Sequence, residues 1–320
     1  MKVAPQALWH CILLAALNSV IATAATYRAA VVEFAPLQAE SNASGDEILA
    51  LQLQNLAALG SFARQAKANG SQIIVFPEYG ISGDGFTGSD FNRTSLQPFL
   101  DELPASGSSN PCLERLSAAP VISAASCLAR ELQLVIVLNL ATRQPCRQDG
   151  DGAHCPEDGI YIHNTAIALG EDGKLLAVYH KRHLFGDELG FMDPSVSTSP
   201  VTFTTSFGVT FGLLICFDLI FDVFPDTSVV DYAFPTDWVN DIRLGPLPGP
   251  SAHFAQQTWS WMHGRNLLAA NYGGFGQKAS GSGIWQSGQE LASFFNPSNG
   301  PQSRLLIADV NTSMISGFLI

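Results

Sequence analysis

Short, fully apolar runs bounded by turn residues, with helical patterns set between them, constrain this chain more than any other feature. YRAAVVEFAP, from Tyr27, reads as a strand. DEILALQLQNLAALGSFARQAKANG carries Leu, Ile and Ala at helical spacing and ends at Gly70, so it reads as a helix. SQIIVFPEYG is again a strand, ended by Pro77. The alternation continues with a helix predicted over Pro111 to Glu131, a strand over LQLVIVLNLAT, and a hairpin over YIHNTAIALGEDGKLLAVYHKRH, turning at Gly170-Glu-Asp-Gly173. Phe207 to Phe217 and DYAFPTDW read as further strands. SAHFAQQTWSWMHGRNLLAANYGG begins helical and ends strand-like, and GSGIW and SRLLIADV close the set. This pattern predicts one mixed α/β layered domain whose reactive groups sit at strand ends. No linker, internal repeat or long low-complexity tract interrupts it.

The 320 residues are 47% apolar and 14% charged, which suits a globular chain. A formal charge of −12 argues against a nucleic-acid partner, because phosphates would be repelled at long range. At the N-terminus, Lys2 precedes an apolar run from Trp9 to Val20 and the small-residue pattern Ala22-Thr23-Ala24. That is the shape of a secretory signal covering residues 1–25, cleaved near Ala24 or Ala25. The unbroken run is shorter than the roughly 20 residues a membrane span needs, so no transmembrane span is expected. Asn42, Asn69, Asn92 and Asn311 each open an N-glycosylation sequon, while Asn296 is excluded by the proline after it. Together these features predict a secreted, extracellular glycoprotein.

Cys11 leaves with the signal, and five cysteines remain: Cys112, Cys127, Cys146, Cys155 and Cys216. Five is odd, so one should stay unpaired in an oxidising compartment. Cys146 and Cys155 bracket a polar loop that a disulfide would staple. Cys112 and Cys127 bracket a partly helical stretch. Four cysteines allow three connectivities, and the sequence does not choose among them. Cys216 is the natural odd one out, set at the end of the strand-like run FGLLI.

Glu78 follows IIVFP, Lys181 follows LLAVYH, and Cys216 follows FGLLI, so all three stand at strand exits. Each has a plain reading: a loop carboxylate, part of the basic turn His180-Lys-Arg-His183, and a small buried hydrophobe. Strand exits in layered α/β domains nevertheless converge on one edge, where ligand sites tend to lie. A thiol, a carboxylate and an ammonium suffice for acyl transfer. The ammonium favours the thiolate, the carboxylate moves the proton, and ammonium and backbone N–H stabilise the oxyanion. Such chemistry needs no metal or cofactor, and no His/Cys cluster has zinc-like spacing.

FPE at 76–78, YHKRHLF at 179–185 and CFD at 216–218 resemble the Glu, Lys and Cys motifs of the nitrilase (carbon–nitrogen hydrolase) superfamily. FPEYGISG and FGLLICFDLIF are closer still to its secreted vanin and biotinidase branch, and the cysteines at 146 and 155 also look like that branch. FPTDWVN (234–240) and GSGIW (281–285) are similar to segments lining its active site. The resemblance covers about Tyr27 to Val310. It implies a four-layer αββα sandwich, with Glu78 as general base and acid, Lys181 as oxyanion stabiliser and Cys216 as nucleophile. The Phe217 backbone N–H would be the second oxyanion donor. Asp187 or Glu188 would supply an assisting carboxylate, and Tyr79, Thr236 and Trp238 are candidate pocket residues. Asp218 is expected to hold the strand exit, on the same face as Cys216 by strand alternation.

The implied reaction is cleavage of a small-molecule linear amide through a Cys216 thioester, first of all pantetheine to pantothenate and cysteamine. Alternatives are biotinidase-like release of biotin from its lysine amide and a secreted binding paralogue with weak turnover. The catalytic domain is expected over residues 26–315, with a short tail at 316–320. Members of the branch continue into a second, β-rich domain, whereas this sequence ends at Ile320 with an apolar stretch shorter than a lipid-anchor signal. No pattern speaks to oligomeric state.

Overall fold

Strand β1 (Thr26–Glu33) divides its side chains between two cores, which explains its continuous apolar run. Ala30 and Val32 face the helices, while Ala29 and Val31 face a second sheet. Helix α1 (Gly45–Ala68) follows, started by a capping box. The Ser44 hydroxyl accepts from Glu47 N–H, and the Glu47 carboxylate accepts from Ser44 N–H at 2.7 Å. Its end is marked by Gly70, whose φ of +83° suits glycine. Strand β2 (Ile73–Val75) then pairs parallel with β1, so α1 is the crossover between them.

In this computed structural model the described residues are 26–40, 42–83, 92–104, 109–146, 155–221, 229–240, 251–274, 279–298 and 300–312. The signal-like segment with Cys11, the loop 147–154 and the tail 316–320 lie outside them. Next in chain order come α2 (Arg93–Leu96), β3 (Asp101–Glu102), α3 (Pro111–Glu114), α4 (Pro120–Leu132), β4 (Val135–Pro145), β5 (Ile160–Leu169) and β6 (Leu175–His180). The second half holds β7 (Thr202–Thr204), β8 (Thr210–Leu213), β9 (Asp231–Thr236), α5 (Ser251–His263), β10 (Asn266–Asn271), β11 (Ser282–Gln286), β12 (Gln289–Phe294) and β13 (Arg304–Asn311). One sheet runs β13-β1-β2-β4-β5-β6, with β3 beside β4; the other runs β12-β11-β10-β9-β8-β7.

Three apolar clusters separate the layers. Leu59, Ala63, Ile122 and Leu128 of α1 and α4 pack on the outer face of the first sheet. Val31, Val75, Val137, Phe211, Leu213 and Leu268 fill the space between the sheets. Trp259 of α5 covers Tyr232, Phe234 and Trp285 on the far side of the second sheet. The architecture is therefore the αββα sandwich of the nitrilase type.

Two element boundaries differ from the sequence expectation. The helix predicted over Pro111 to Glu131 is two helices: Arg115 takes a left-handed φ of +50°, and α4 restarts at Pro120, where proline suits the first turn. The Cys112–Cys127 disulfide spans that break, and Cys146 pairs with Cys155. Cys216 is free and buried. The strand predicted through Phe217 stops at Leu213, and Cys216 opens a 3₁₀ turn, Cys216–Ile220. Strand alternation therefore does not govern Asp218, whose carboxylate instead turns back onto Ile215 N–H at 3.1 Å. Strands β3, β7 and β12 were not foreseen, being short or too exposed to carry an apolar pattern.

Asn42, Asn69 and Asn92 are exposed, whereas Asn311 is partly buried on β13 opposite Thr26. Among the described residues, no helix is long and apolar enough to cross a membrane.

Candidate active site

Strand β2 delivers Glu78 to the end of a buried run, and the chain turns at once. Gly80 N–H bonds Pro77 C=O at 3.2 Å, and Tyr79 takes a left-handed φ of +55°. Strand β6 ends at His180, and Lys181 follows, its N–H on Asn164 C=O at 2.9 Å. Strand β6 is antiparallel to β5, β5 to β4, and β4 is parallel to β2, so β2 and β6 release their last residues at the same edge. From the facing sheet, Leu213 and Ile215 point into the inter-sheet core and Leu214 toward α5. Alternation would send Cys216 after Leu214. Its φ of +42° turns the thiol back into the inter-sheet cluster instead. A non-glycine residue held left-handed costs about 1–3 kcal/mol and persists only where the surroundings over-determine it.

Lys181 Nζ donates to Glu78 Oε1 at 2.8 Å and to Glu188 Oε2 at 2.9 Å, with all three side chains buried. An ammonium has three donors, so one has no partner among the described residues and could meet a ligand. Asn164 Nδ2 donates to Glu78 Oε1 at 2.7 Å and to Glu188 Oε1 at 2.6 Å. Its amide cannot be reversed: Asn139 Nδ2 donates to Asn164 Oδ1, and Tyr79 N–H donates to Asn139 Oδ1 at 3.1 Å. Glu188 also accepts from the Tyr79 hydroxyl and from Phe185 N–H at 2.6 Å. All four acceptor positions of Glu188 are thus filled. Glu78 Oε1 is filled by Lys181 and Asn164, but Oε2 takes only Asp237 N–H, at 2.7 Å. Among the described residues, Glu78 Oε2 is the carboxylate oxygen in this group with an acceptor position left open.

Burial pushes the Glu78 carboxyl up, Lys181 pulls it down and Glu188 raises it again, leaving it above the ordinary carboxylate value. Burial opposes the Lys181 ammonium, but Glu78 and Glu188 outweigh it and hold the lysine well above its usual value. Burial and then Glu78 raise the Cys216 thiol, against the pull of Lys181 and of the Thr236 hydroxyl, and the thiol ends well above its ordinary value. These directions favour a neutral thiol and a charged ammonium, and hold Glu78 nearer to protonation than an ordinary glutamate.

Asp218 links the cysteine turn to the lysine turn. Besides Ile215 N–H it accepts from the Tyr179 hydroxyl at 2.7 Å, from His183 N–H at 3.0 Å, and lies 2.9 Å from His183 Nδ1. Phe217 N–H precedes the first bond of the 3₁₀ turn, which runs from Asp218 N–H to Ile215 C=O.

Of the two possible assisting carboxylates, Glu188 is in the cluster and Asp187 is exposed. Tyr79, expected in the pocket wall, has its hydroxyl tied into the carboxylate network. Trp238 is partly buried, with N–H on Asn271 Oδ1 and Nε1–H on Ser251 Oγ. Thr236 is fully buried beside the thiol. The sequence reading missed Asn139 and Asn164. The signal for Asn139 is an amide inside the apolar strand run LVIVLNLAT, whereas Asn164, between His163 and Thr165, has no such mark.

Residues 28–226 match the family model for carbon–nitrogen hydrolases. The chain belongs to that family. Rat biotinidase is 36% identical over 280 residues, covering 84% of this chain and 50% of that protein. Human pantetheinase is 34% identical over 298 residues, covering 90% of this chain and 55% of that protein. The chain spans about half the length of these curated relatives, which place it beside the vanin and biotinidase branch. Among solved structures, an amidase of the nitrilase superfamily from Nesterenkonia AN1 superposes with a TM-score of 0.60 at 20% identity, covering 89% of this chain and 90% of that one. Another structure of that amidase, with a TM-score of 0.59 at 20% identity over 89% of this chain and 90% of that one, carries the acetamide moiety of fluoroacetamide covalently added at its active-site cysteine.

Proposed function

We propose that this family member is a secreted hydrolase of small linear amides, working through a thioester on Cys216 within the domain of residues 26–315. The observation that carries the reading is the unequal satisfaction of the two buried carboxylates: Glu188 is saturated by donors, while Glu78 keeps Oε2 open. Both carboxylates hold the lysine, but only Glu78 keeps an oxygen able to carry a proton. In the first step the Cys216 thiol gives its proton to Glu78 Oε2, and the sulfur attacks the amide carbon. The free third donor of Lys181 and the Phe217 N–H stabilise the oxyanion. Glu78 returns the proton to the departing amine, leaving a thioester. Water then gives a proton to Glu78 and its oxygen to the acyl carbon. The C–S bond breaks, the acid leaves, and Glu78 returns the proton to sulfur, regenerating the thiol and its own carboxylate.

Pantetheine is the first substrate to test, with biotinyl-lysine beside it, because pantetheinases and biotinidases match this chain at similar identity. Incubation with each amide, rapid acid quench and intact mass should trap an acyl adduct that Cys216→Ala abolishes. Amine release measured in parallel distinguishes the two substrates. A protein inert toward a broad amide panel, with no adduct, sinks the hydrolase reading and favours a binding paralogue.

A further inference from the structure

Thr236 ends strand β9, is fully buried, and its Oγ1 has no hydrogen-bond partner among the described residues. Buried hydroxyls are nearly always bonded, so an unbonded one beside a reactive group calls for a cause. The backbone around it is committed on both sides. Thr236 C=O accepts from Tyr272 N–H at 3.0 Å, and the next N–H, that of Asp237, holds Glu78 Oε2. The hydroxyl therefore cannot swing to another partner by shifting the chain without releasing Glu78. The two segments run side by side up to the site: Leu213 of β8 lies opposite Ala233 of β9, and Leu214 N–H still bonds Ala233 C=O at 3.3 Å. Two residues on, the left-handed Cys216 turns its thiol into the inter-sheet space, where the Thr236 hydroxyl acts on it. Burial and Glu78 raise the thiol, whereas Lys181 and the Thr236 hydroxyl favour its ionised form.

We propose that Thr236 is a catalytic donor whose hydroxyl is held in reserve for the Cys216 sulfur as that sulfur becomes negatively charged. The proposal rests on the reading of Cys216 as nucleophile. The thiol proton still goes to Glu78 Oε2; Thr236 keeps its own proton and only points it at sulfur. A donor left unbonded in the resting state and bonded in the charged state lowers the barrier without tightening substrate binding, since only the difference between the two states accelerates a step. Its effect belongs in kcat and not in KM.

The test follows alkylation of Cys216 by iodoacetamide across pH, which requires no amide turnover. Thr236→Val removes the hydroxyl at similar volume, and Thr236→Ser retains it. The valine variant should alkylate about ten- to a hundred-fold more slowly at neutral pH, the scale of one hydrogen bond to a charged group, with its profile moved to higher pH. Its kcat on an accepted amide should fall with KM unchanged, while the serine variant stays near wild type. Wild-type alkylation in the valine variant overturns the proposal even where amide hydrolysis is established. Slowed alkylation with no amide turnover by the wild type supports it and counts against the hydrolase reading alone. If valine does not fold, Thr236→Ala makes the same comparison. Should neither fold while serine does, the hydroxyl serves the fold and the proposal fails.

Discussion

Lys181 Nζ and Glu78 Oε1 lie 2.8 Å apart, with side chains 2% and 1% exposed. A buried ion pair gains little over the desolvation it suffers, so its presence is weak evidence for stability. Here the lysine also meets Glu188, and two buried carboxylates share one ammonium. Burial is the main reason Glu78 is raised; Lys181 opposes it, and the second carboxylate, Glu188, adds to it.

Glu188 and Asp187 should behave oppositely on substitution. Glu188→Gln removes an anionic anchor of Lys181 and should lower stability by about 2 kcal/mol, the worth of a hydrogen bond to a charged group, with a fall in kcat. Asp187→Asn, on the surface, should stay within about 0.5 kcal/mol and keep full activity. Thermal melts and kinetics on a common amide check both; equal effects would remove the positioning role given to Glu188.

Activity should fail on the acid side at an elevated pH. Glu78 must be ionised to accept the thiol proton, and its value is raised, so kcat/KM should be lost as pH falls through a midpoint above the ordinary glutamate value of about 4.3. Asn164→Asp puts a third carboxylate against the pair and should move that limb higher still. Lys181, held well above its normal value, adds no alkaline loss below about pH 10. A midpoint at or below 4.3 contradicts this account.

Glu33 should destabilise the protein as pH rises. It is fully buried, and burial raises it from 4.5 to about 7, although Ser280, Gly281 and Ser282 donate to it. The folded state holds that proton more tightly than the unfolded chain, so its contribution is complete below about pH 4.5 and is lost as pH rises through about 7. His163, His180 and His253, all lowered by burial, act in the opposite sense as pH falls. The Glu33 share is therefore read as the difference between wild type and Glu33→Gln in unfolding free energy. Relative to the variant, wild type should lose on the order of 3 kcal/mol between pH 4.5 and 8. A constant difference across that range rules it out.

Glycan occupancy should split among the four sequons. Asn42, Asn69 and Asn92 are exposed. Asn311 lies on β13, with its N–H on Gln286 Oε1 and its C=O accepting from Asn266 Nδ2, both at 2.8 Å. Expression in a glycosylating host followed by peptide mass mapping should find sugar at the first three and none at Asn311; a glycan at Asn311 on folded protein would refute the assignment.

Much of the fold was legible because its signals are local. The inter-sheet strands are buried on both faces and read as unbroken apolar runs, and α1 carries its own cap and stop. The break after Arg115 was missed because the apolar spacing passes through it, although Pro120 inside the predicted helix is a local mark of it. Short polar strands such as β7 and β12 have no pattern of their own; pairing with β8 and β11 makes them strands.

At the site, the sequence alone determined the three strand-exit residues, the odd cysteine and a mixed α/β layered domain, because periodicity and residue type report burial and chemistry one segment at a time. The order of the layers came from the family resemblance. Only the tertiary structure chose Glu188 over Asp187, brought in Asn139 and Asn164, and turned Cys216 inward by a left-handed backbone. Which carboxylate oxygen stays open depends on donors from β4, β5, β6 and the loop after β9 arriving together. No single segment contains that sum.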